Sequence, residues 1–173
     1  EKGQMLTSSN VAITDTNAVV AEIIERSRLQ FESAGVVVPD RSSVEISHHY
    51  GLEKFDQFGA FMATVVNREY CKKIIGVLPG QTNPEHLHKK KEETFLCLSG
   101  TLVVTLVGKT HTLNPGDLLT VEVGKSHSFT SPDGAVFEEI SSTHHANDSY
   151  YTDASIKNNP NRKTKISVWA LAE

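Results

Sequence analysis

The sequence predicts an all-β sandwich or barrel preceded by one N-terminal α-helix, and two patterns indicate this fold class. Short segments rich in β-branched and aromatic residues recur from residue 43 to residue 141, and turns of Gly, Pro, Asn and Asp separate them. Strands at such regular spacing are typical of sandwiches and barrels. Ahead of the strands, apolar residues recur at helical spacing.

The helix is predicted over residues 17–33, with Thr16 as its N-cap and Gly35 as the residue that ends it. Residues 1–14 show no sustained period and are predicted to be an arm or linker, while residues 15–173 are predicted to form the domain. Because the chain begins without a methionine, we expect the arm to be the remnant of a preceding domain in a longer polypeptide.

The strands follow in order, and each is bounded by turn residues. They are predicted at SVEIS (43–47), GAFMATVV (59–66), CKKIIGVL (71–78), EETFLCL (92–98), TLVVTLV (101–107), LLTVEV (118–123), HSFTS (127–131) and AVFEEIS (135–141). From about residue 143 the chain is polar and loop-like, until ISVWALA (166–172) indicates a final strand or returning segment.

Length and charge restrict the class of protein. A chain of 173 residues suits one domain with its own core. No apolar run approaches the ~20 residues that span a bilayer and no secretory leader is visible, so we expect a cytoplasmic protein without a membrane partner. The formal net charge of −4 argues against a nucleic-acid partner. The one basic run, Lys89 to Lys91, is predicted to be a solvated loop.

The two cysteines, Cys71 and Cys97, each lie within an apolar segment. We expect two buried and unpaired thiols, because this number and spacing do not indicate a disulfide framework.

A candidate metal site begins with His86 and His88. Residues i and i+2 of a strand share a face, so both imidazoles can approach one ion. Glu93 opens the next predicted strand and His127 opens a later one. Three imidazoles and one carboxylate suit a divalent transition metal: Mn, Zn, Fe, Co or Ni. Any one of these histidines taken alone is equally well explained as an exposed or hydrogen-bonded polar residue.

The spacing of these residues resembles the two motifs of the cupin superfamily. The first motif is matched as Gly80-X5-His86-X-His88-X4-Glu93-X6-Gly100 and the second as Gly116-X5-Glu122-Val123-Gly124-X2-His127-X3-Ser131. Glu122 and Ser131 depart from the usual proline and asparagine, at positions that shape a turn. The resemblance implies a double-stranded β-helix, or jelly-roll barrel, with the metal site inside it.

Longer blocks resemble the D-lyxose isomerases of this superfamily over about residues 20–158. They are AGVVVPD, HYGLEKF, VNREYCKKIIGVLPGQTNPEHLH, EETF, FEEISST and YTDASI, in that order. The segment between the two motifs is shorter than in those enzymes, which leaves the sugar open. The resemblance implies aldose–ketose isomerisation of a small sugar through an enediol that a divalent metal stabilises, with Mn favoured.

Two residues are candidates for the proton transfer that such a reaction needs. Lys73 shares strand parity with Cys71 and Ile75, so it is predicted to face the barrel interior, and it matches a lysine of the D-lyxose isomerases. Glu139 matches a glutamate of that family. The alternatives are that Lys73 extends to the solvent at an edge and that Glu139 lies on an outer face.

Three further residues are predicted to contact the sugar: Gln81, Glu85 and His145. Gln81 and Glu85 lie between Gly80 and His86 of the first motif, and both could equally be turn residues. His145 and its neighbour His144 precede an acidic loop rich in tyrosine and could border a pocket. His48, His49 and His111 are instead predicted to be structural or exposed.

A second resemblance leaves another function open. YCKKIIGVLPGQTNPEHLHKKKEETF, PGDLLTVEVGKSHSF, FEEISSTHHANDSYY and NRKTKISVW are also similar to cupin domains at the C-terminus of sialic acid synthase family proteins. KGQMLTSSNV resembles the start of the antifreeze-like module of such synthases. This resemblance implies a noncatalytic metal-binding module, fused to a synthase-like domain, that binds sugar or supports oligomerisation. An iron oxygenase is a third alternative, and a homodimer is expected in each case.

Overall fold

The computed structural model describes residues 8–166, with side chains from residue 17 onward. One long helix precedes twelve strands, a 3-10 turn at Leu52–Lys54 and a short second helix. The helices are α1 (Ser8–Ser33) and α2 (Ala154–Lys157), and the strands are β1 (Ser43–Ser47), β2 (Ala60–Asn67), β3 (Tyr70–Val77), β4 (Thr82–Leu87), β5 (Glu93–Gly100), β6 (Leu102–Leu106), β7 (Lys109–Leu113), β8 (Leu118–Val121), β9 (His127–Thr130), β10 (Ala135–Ser142), β11 (Tyr150–Tyr151) and β12 (Lys163–Ile166).

The strands form two antiparallel sheets. The larger sheet has the order β12-β1-β2-β3-β10-β5-β8, and the smaller one has the order β11-β4-β9-β6-β7. Their inner faces share one apolar core, in which Phe95 and Phe137 of the larger sheet contact Phe129 of the smaller one. This is the predicted jelly-roll barrel.

Helix α1 covers the outer face of the larger sheet. Ile23, Ile24 and Phe31 of the helix belong to one buried cluster with Phe61 and Ile74 of the sheet. Burial of such side chains contributes roughly 1.5–3 kcal/mol each. The larger sheet is therefore apolar on both faces wherever the helix covers it.

The C-terminal end of α1 confirms the prediction for Gly35. This residue has a φ of 67°, its N–H donates to Glu32, and the N–H of Val36 donates to Phe31. These two bonds form a Schellman motif, which requires a left-handed residue that glycine adopts without strain.

The start of α1 corrects the prediction. The helix begins at Ser8 rather than at residue 17, so residues 8–14 of the predicted arm are helical. No Gly or Pro interrupts this stretch, so helical hydrogen bonding continues even though the apolar period fades. Residues 1–7 lie outside the described part of the chain.

The eight predicted strands from residue 43 to residue 141 are present, and their ends agree to within two residues, but β4, β7, β11 and β12 were not predicted. Strand β4 was not predicted because Asn83 and Pro84 are typical of turns. The pairing of β4 with β9 shifts register between Asn83 and His86, and such an irregularity accommodates a proline. Of the predicted final segment 166–172, only Ile166 is described, at the end of β12.

Both cysteines are buried and free, as predicted. Within the described residues, no helix combines the length and the apolar character that crossing a membrane requires.

Candidate metal centre

Four side chains converge where the two sheets approach each other. His86 of β4 pairs directly with His127 of β9, His88 follows the end of β4, and Glu93 opens β5. One ligand atom from each lies within 4.8 Å of the others, and all four residues are buried. The structure therefore brings together the four residues that the sequence predicts as metal ligands.

Backbone carbonyls fix the orientation of the three imidazoles. The Nδ1 atom of His86 lies 2.9 Å from the oxygen of Pro84, that of His88 lies 2.9 Å from Asp148, and that of His127 lies 2.9 Å from Lys125. A carbonyl can only accept, so each Nδ1 carries the proton and each Nε2 presents a lone pair. This is the usual support of metal-binding histidines.

The Nε2 lone pairs face a carboxylate. Glu93 Oε1 lies 2.7 Å from His127 Nε2 and 3.4 Å from His88 Nε2. The His127 Nε2 and the Glu93 Oε1 are buried without a hydrogen-bond partner among the described residues. Acceptors that face one another in a buried site are costly unless a cation lies between them, so the donor set fits a divalent transition metal.

At His86 and Glu93 the electrostatics favour the protonation states that a metal requires, whereas the pKa of His127, which burial alone would lower, is raised by the Glu93 carboxylate. Burial, together with the neighbouring imidazoles, holds the pKa of His86 well below its ordinary value, so this ring stays neutral. Burial alone would raise the pKa of Glu93, but the Lys91 ammonium and the adjacent His127 and His88 side chains bring it well below the ordinary value. Glu93 is therefore ionised.

The basic run beside the site is only partly the solvated loop that the sequence predicts. Lys89 and Lys90 are exposed, whereas Lys91 is 3% exposed and places its Nζ 3.0 Å from both Glu93 Oε2 and Glu139 Oε2. Burial alone would lower the pKa of Lys91, but these two carboxylates raise it. Lys91 is thus a buried cation that joins a metal ligand to a candidate catalytic residue.

Asp148 holds this loop in place. Its carboxylate accepts the backbone N–H groups of Lys89, Lys90 and Lys91 at 2.9–3.2 Å, while its carbonyl accepts Nδ1–H of His88. One buried aspartate thus positions both a metal ligand and the ammonium that stabilises Glu93.

Lys73 and Glu139 lie together in the wall of the same cavity. They are direct partners in the pairing of β3 with β10, and both are buried. The Lys73 Nζ lies 3.3 Å from Nδ1 of His144, and Glu139 is bonded to Lys91. The cavity that they line also contains His86, His88 and Glu93.

The three residues predicted to contact the sugar are not among those that line the cavity. Gln81 is fully buried, and its amide bonds the backbone of Leu78 and Phe55, so it stabilises turns instead. Glu85 is exposed and accepts from Thr152. His145 is exposed, whereas its neighbour His144 lines the cavity.

Sequence reasoning missed several cavity residues besides Lys91, and three of them are His49, Tyr151 and Arg162. His49, predicted to be structural or exposed, is buried with its Nε2 3.2 Å from the Tyr151 hydroxyl. A signal was available in β1 and the residues after it. Its apolar side chains, Val44 and Ile46, contribute to the cluster beneath the helix, so the intervening polar residues turn into the barrel.

Comparisons with known proteins agree with this geometry. Residues 73–141 match the family model described as the cupin domain. A D-lyxose/D-mannose isomerase of Thermosediminibacter oceani is 28% identical over 82% of this chain and 94% of its own length. A D-lyxose ketol-isomerase of Cohnella laeviribosi is 28% identical over 80% of this chain and 93% of its own length.

Among solved structures, the L-ribose isomerase of Acinetobacter sp. DL28 in complex with L-ribose superposes with a TM-score of 0.66. It is 14% identical, and the match covers 82% of this chain and 94% of that one. The fold is therefore a cupin double-stranded β-helix, and the chain resembles D-lyxose isomerases over most of its length.

Proposed function

We propose that the protein is a divalent-metal-dependent ketol-isomerase that interconverts a small aldose and its ketose. One observation carries the proposal: Lys73 and Glu139 are cross-strand partners on β3 and β10 and line the same cavity as His86, His88 and Glu93. Two relatives that share 28% identity are named for the isomerisation of D-lyxose, which supports this reaction class.

The reaction moves one proton between adjacent sugar carbons through an enediol. Glu139 takes the proton from one carbon and returns it to the next, while the Lys73 ammonium protonates the carbonyl oxygen of the sugar and recovers a proton from the hydroxyl on the neighbouring carbon. A divalent cation held by His86, His88, Glu93 and His127 would supply a Lewis acid that stabilises negative charge on the sugar oxygens.

His144 positions Lys73 for this task. Its backbone is fixed by both ends of the Asn67 amide, at 2.9 Å and 3.1 Å. Burial, reinforced by Lys73 and Lys91, lowers the pKa of His144 to about 3, so the ring is a neutral acceptor for the Lys73 ammonium. His144 therefore holds the Lys73 Nζ at the wall of the cavity.

The test is turnover by the purified chain loaded with Mn and assayed without oxygen. The panel contains pentoses, hexoses and acylated amino sugars, and we expect at least one aldose to form its ketose with exchange of a carbon-bound proton in deuterated water. A requirement for Fe and oxygen would instead identify an oxygenase. Metal binding without turnover of any sugar would contradict the proposal in favour of a noncatalytic module of a synthase-like protein.

A further inference from the structure

We propose, on the basis of the proposed function, that the substrate carries an anionic group, a carboxylate or a phosphate, and that Arg162 binds this group. Arg162 is partly exposed and lines the same cavity as Lys73 and Glu139. The anion would lie at the end of the sugar remote from the reacting carbons.

The charges of the cavity wall are the first support. Four cationic side chains line it, but only three carboxylates do; these are Lys73, Lys91, Arg162 and Lys163 against Glu45, Glu93 and Glu139. A divalent metal adds further positive charge. A neutral sugar leaves this excess unbalanced in a poorly solvated space, whereas an anionic sugar offsets it.

The ion pairs show which cations are already engaged. Lys163 lies 2.9 Å from Glu45, and Lys91 lies 3.0 Å from both of its carboxylates. Neither Lys73 nor Arg162 takes part in an ion pair among the described residues, and Lys73 is held by His144 for the reaction. Arg162 is thus the cation whose charge is left for a ligand.

The geometry of Arg162 suits an oxyanion. Its guanidinium carbon lies 5.3 Å from the centre of the Tyr151 ring, and one nitrogen lies 3.4 Å from the Asn159 carbonyl. A guanidinium has five N–H donors in a rigid fork, so these contacts leave donors for the paired oxygens of a carboxylate or phosphate. Its backbone is also fixed, because its carbonyl accepts the N–H of His48 at 2.8 Å.

The position relative to the metal ligands fits a short sugar chain. Tyr151 pairs with His86 in the β4–β11 ladder, and the two rings lie 5.2 Å apart. One aromatic ring therefore separates Arg162 from the metal ligands. A sugar whose reacting carbons face His86 presents its far end to Arg162.

The experiment compares three sugars of the same configuration: D-mannose, D-mannuronate and D-mannose 6-phosphate. Dissociation constants with the metal-loaded chain are measured by titration calorimetry, and turnover is measured in parallel. We expect at least one anionic sugar to bind roughly 10- to 100-fold more tightly than D-mannose, as a charge-assisted hydrogen-bonded pair would give. The tighter of the two identifies carboxylate or phosphate as the group.

Arg162→Gln should remove this preference, so that the anionic sugars bind this variant no more tightly than D-mannose does. Arg162→Lys keeps a positive charge and should retain part of the preference, which separates loss of charge from loss of fold. Arg41→Gln, at an exposed arginine before β1, is the matched control and should change nothing. Metal content and circular dichroism verify each variant.

Three outcomes separate this inference from the proposed function. Equal affinity for the three sugars, or no binding of the anionic ones, overturns the inference, and so does a preference that survives Arg162→Gln. If a neutral aldose is isomerised and the anions give no advantage, only the inference fails. If anionic sugars bind through Arg162 but no sugar is turned over, only the isomerase function fails.

Discussion

The two ends of the barrel interior differ sharply although the same strands build both. On each of three neighbouring strands, a charged residue that faces the interior lies two positions from an apolar residue on the same face. These pairs are Lys73 and Ile75 on β3, Glu93 and Phe95 on β5, and Glu139 and Phe137 on β10. The register sets Ile75, Phe137 and Cys97 in one row, and the next row holds Lys73, Glu139 and Phe95. The charged end thus lies directly on an apolar floor.

The two ends contribute differently to the free energy of folding. In the floor, the rings of Phe95, Phe129 and Phe137 lie 5.2–5.9 Å apart at tilted to perpendicular angles, which adds to the free energy of burial. At the charged end, burial of Lys91 and Glu93 costs free energy that their ion pair roughly offsets. Stability should therefore depend on the floor, and function on the charged end.

The largest expected effect is loss of the metal from the charged end. His88→Ala removes one of four ligands, and we expect it to abolish most metal binding and all measurable turnover. The measurement is elemental analysis of the purified protein. His145→Ala is the control, because this exposed histidine lies outside the cavity wall. Equal metal content in wild type and His88→Ala would show that the site is wrongly identified.

The next effect is on turnover alone. Lys73→Met and Glu139→Gln should each lower kcat by ~10²- to 10⁴-fold, because general acid–base groups contribute that much. Both should keep the metal, since neither side chain belongs to the ligand cluster. Steady-state kinetics on an isomerised sugar provide the measurement. A loss below about tenfold would give both residues supporting roles rather than proton transfer.

A substitution in the apolar floor should lower the free energy of unfolding rather than remove the metal or a catalytic group. Phe137→Ala leaves a cavity beneath the site, and we expect the free energy of unfolding to fall by about 3–5 kcal/mol. Urea unfolding of the metal-free protein measures this loss, which should be the same at neutral and mildly acidic pH because no titrating group is removed. A small loss with a large fall in kcat would contradict the division between the two ends.

The sequence predicts the floor and the ligands better than it predicts the rest of the cavity. Strand parity correctly turned Lys73 inward, the family resemblance pointed to Glu139, and motif spacing found the four residues that converge in the structure. Strand parity and motif spacing are local signals, since they need only the period of a strand and a short segment of chain. The two signals are independent of each other, so motif spacing identified His86 although the alternation of residues did not predict β4.

The missed residues depend on contacts between distant segments. His49 and Tyr151 are 102 positions apart, and Lys91 reaches Glu139 across 48 positions. No local period reports such contacts, so a lysine within a basic run was predicted to be solvated. The prediction for Gln81 was wrong because its amide is engaged by the backbone of Leu78, 3 positions away, and of Phe55, 26 positions away, and is therefore not available to a sugar.

The smallest expected effect concerns the free energy of unfolding at acidic pH. It tests whether the loss of stability in acid originates at the charged end. Burial lowers the pKa of His49 to about 4, with Arg162 and His48 acting in the same direction. As the pH falls below about 6.5, His49 binds a proton in the unfolded chain, whereas buried His49 in the folded chain stays neutral until the pH approaches 4. The stability that neutral His49 contributes is therefore complete above pH 6.5 and is lost as the pH falls toward 4.

One proton per pH unit corresponds to about 1.4 kcal/mol, so His49 should account for about 2 kcal/mol of the loss between pH 7.5 and pH 5. His49→Gln cannot titrate and should lack this part of the slope, whereas Phe137→Ala should retain it. Urea unfolding of the metal-free proteins at both pH values measures the difference, and using apo-protein removes the pH dependence of metal binding. Identical slopes in wild type and His49→Gln would mean that the acid sensitivity arises elsewhere in the cavity wall.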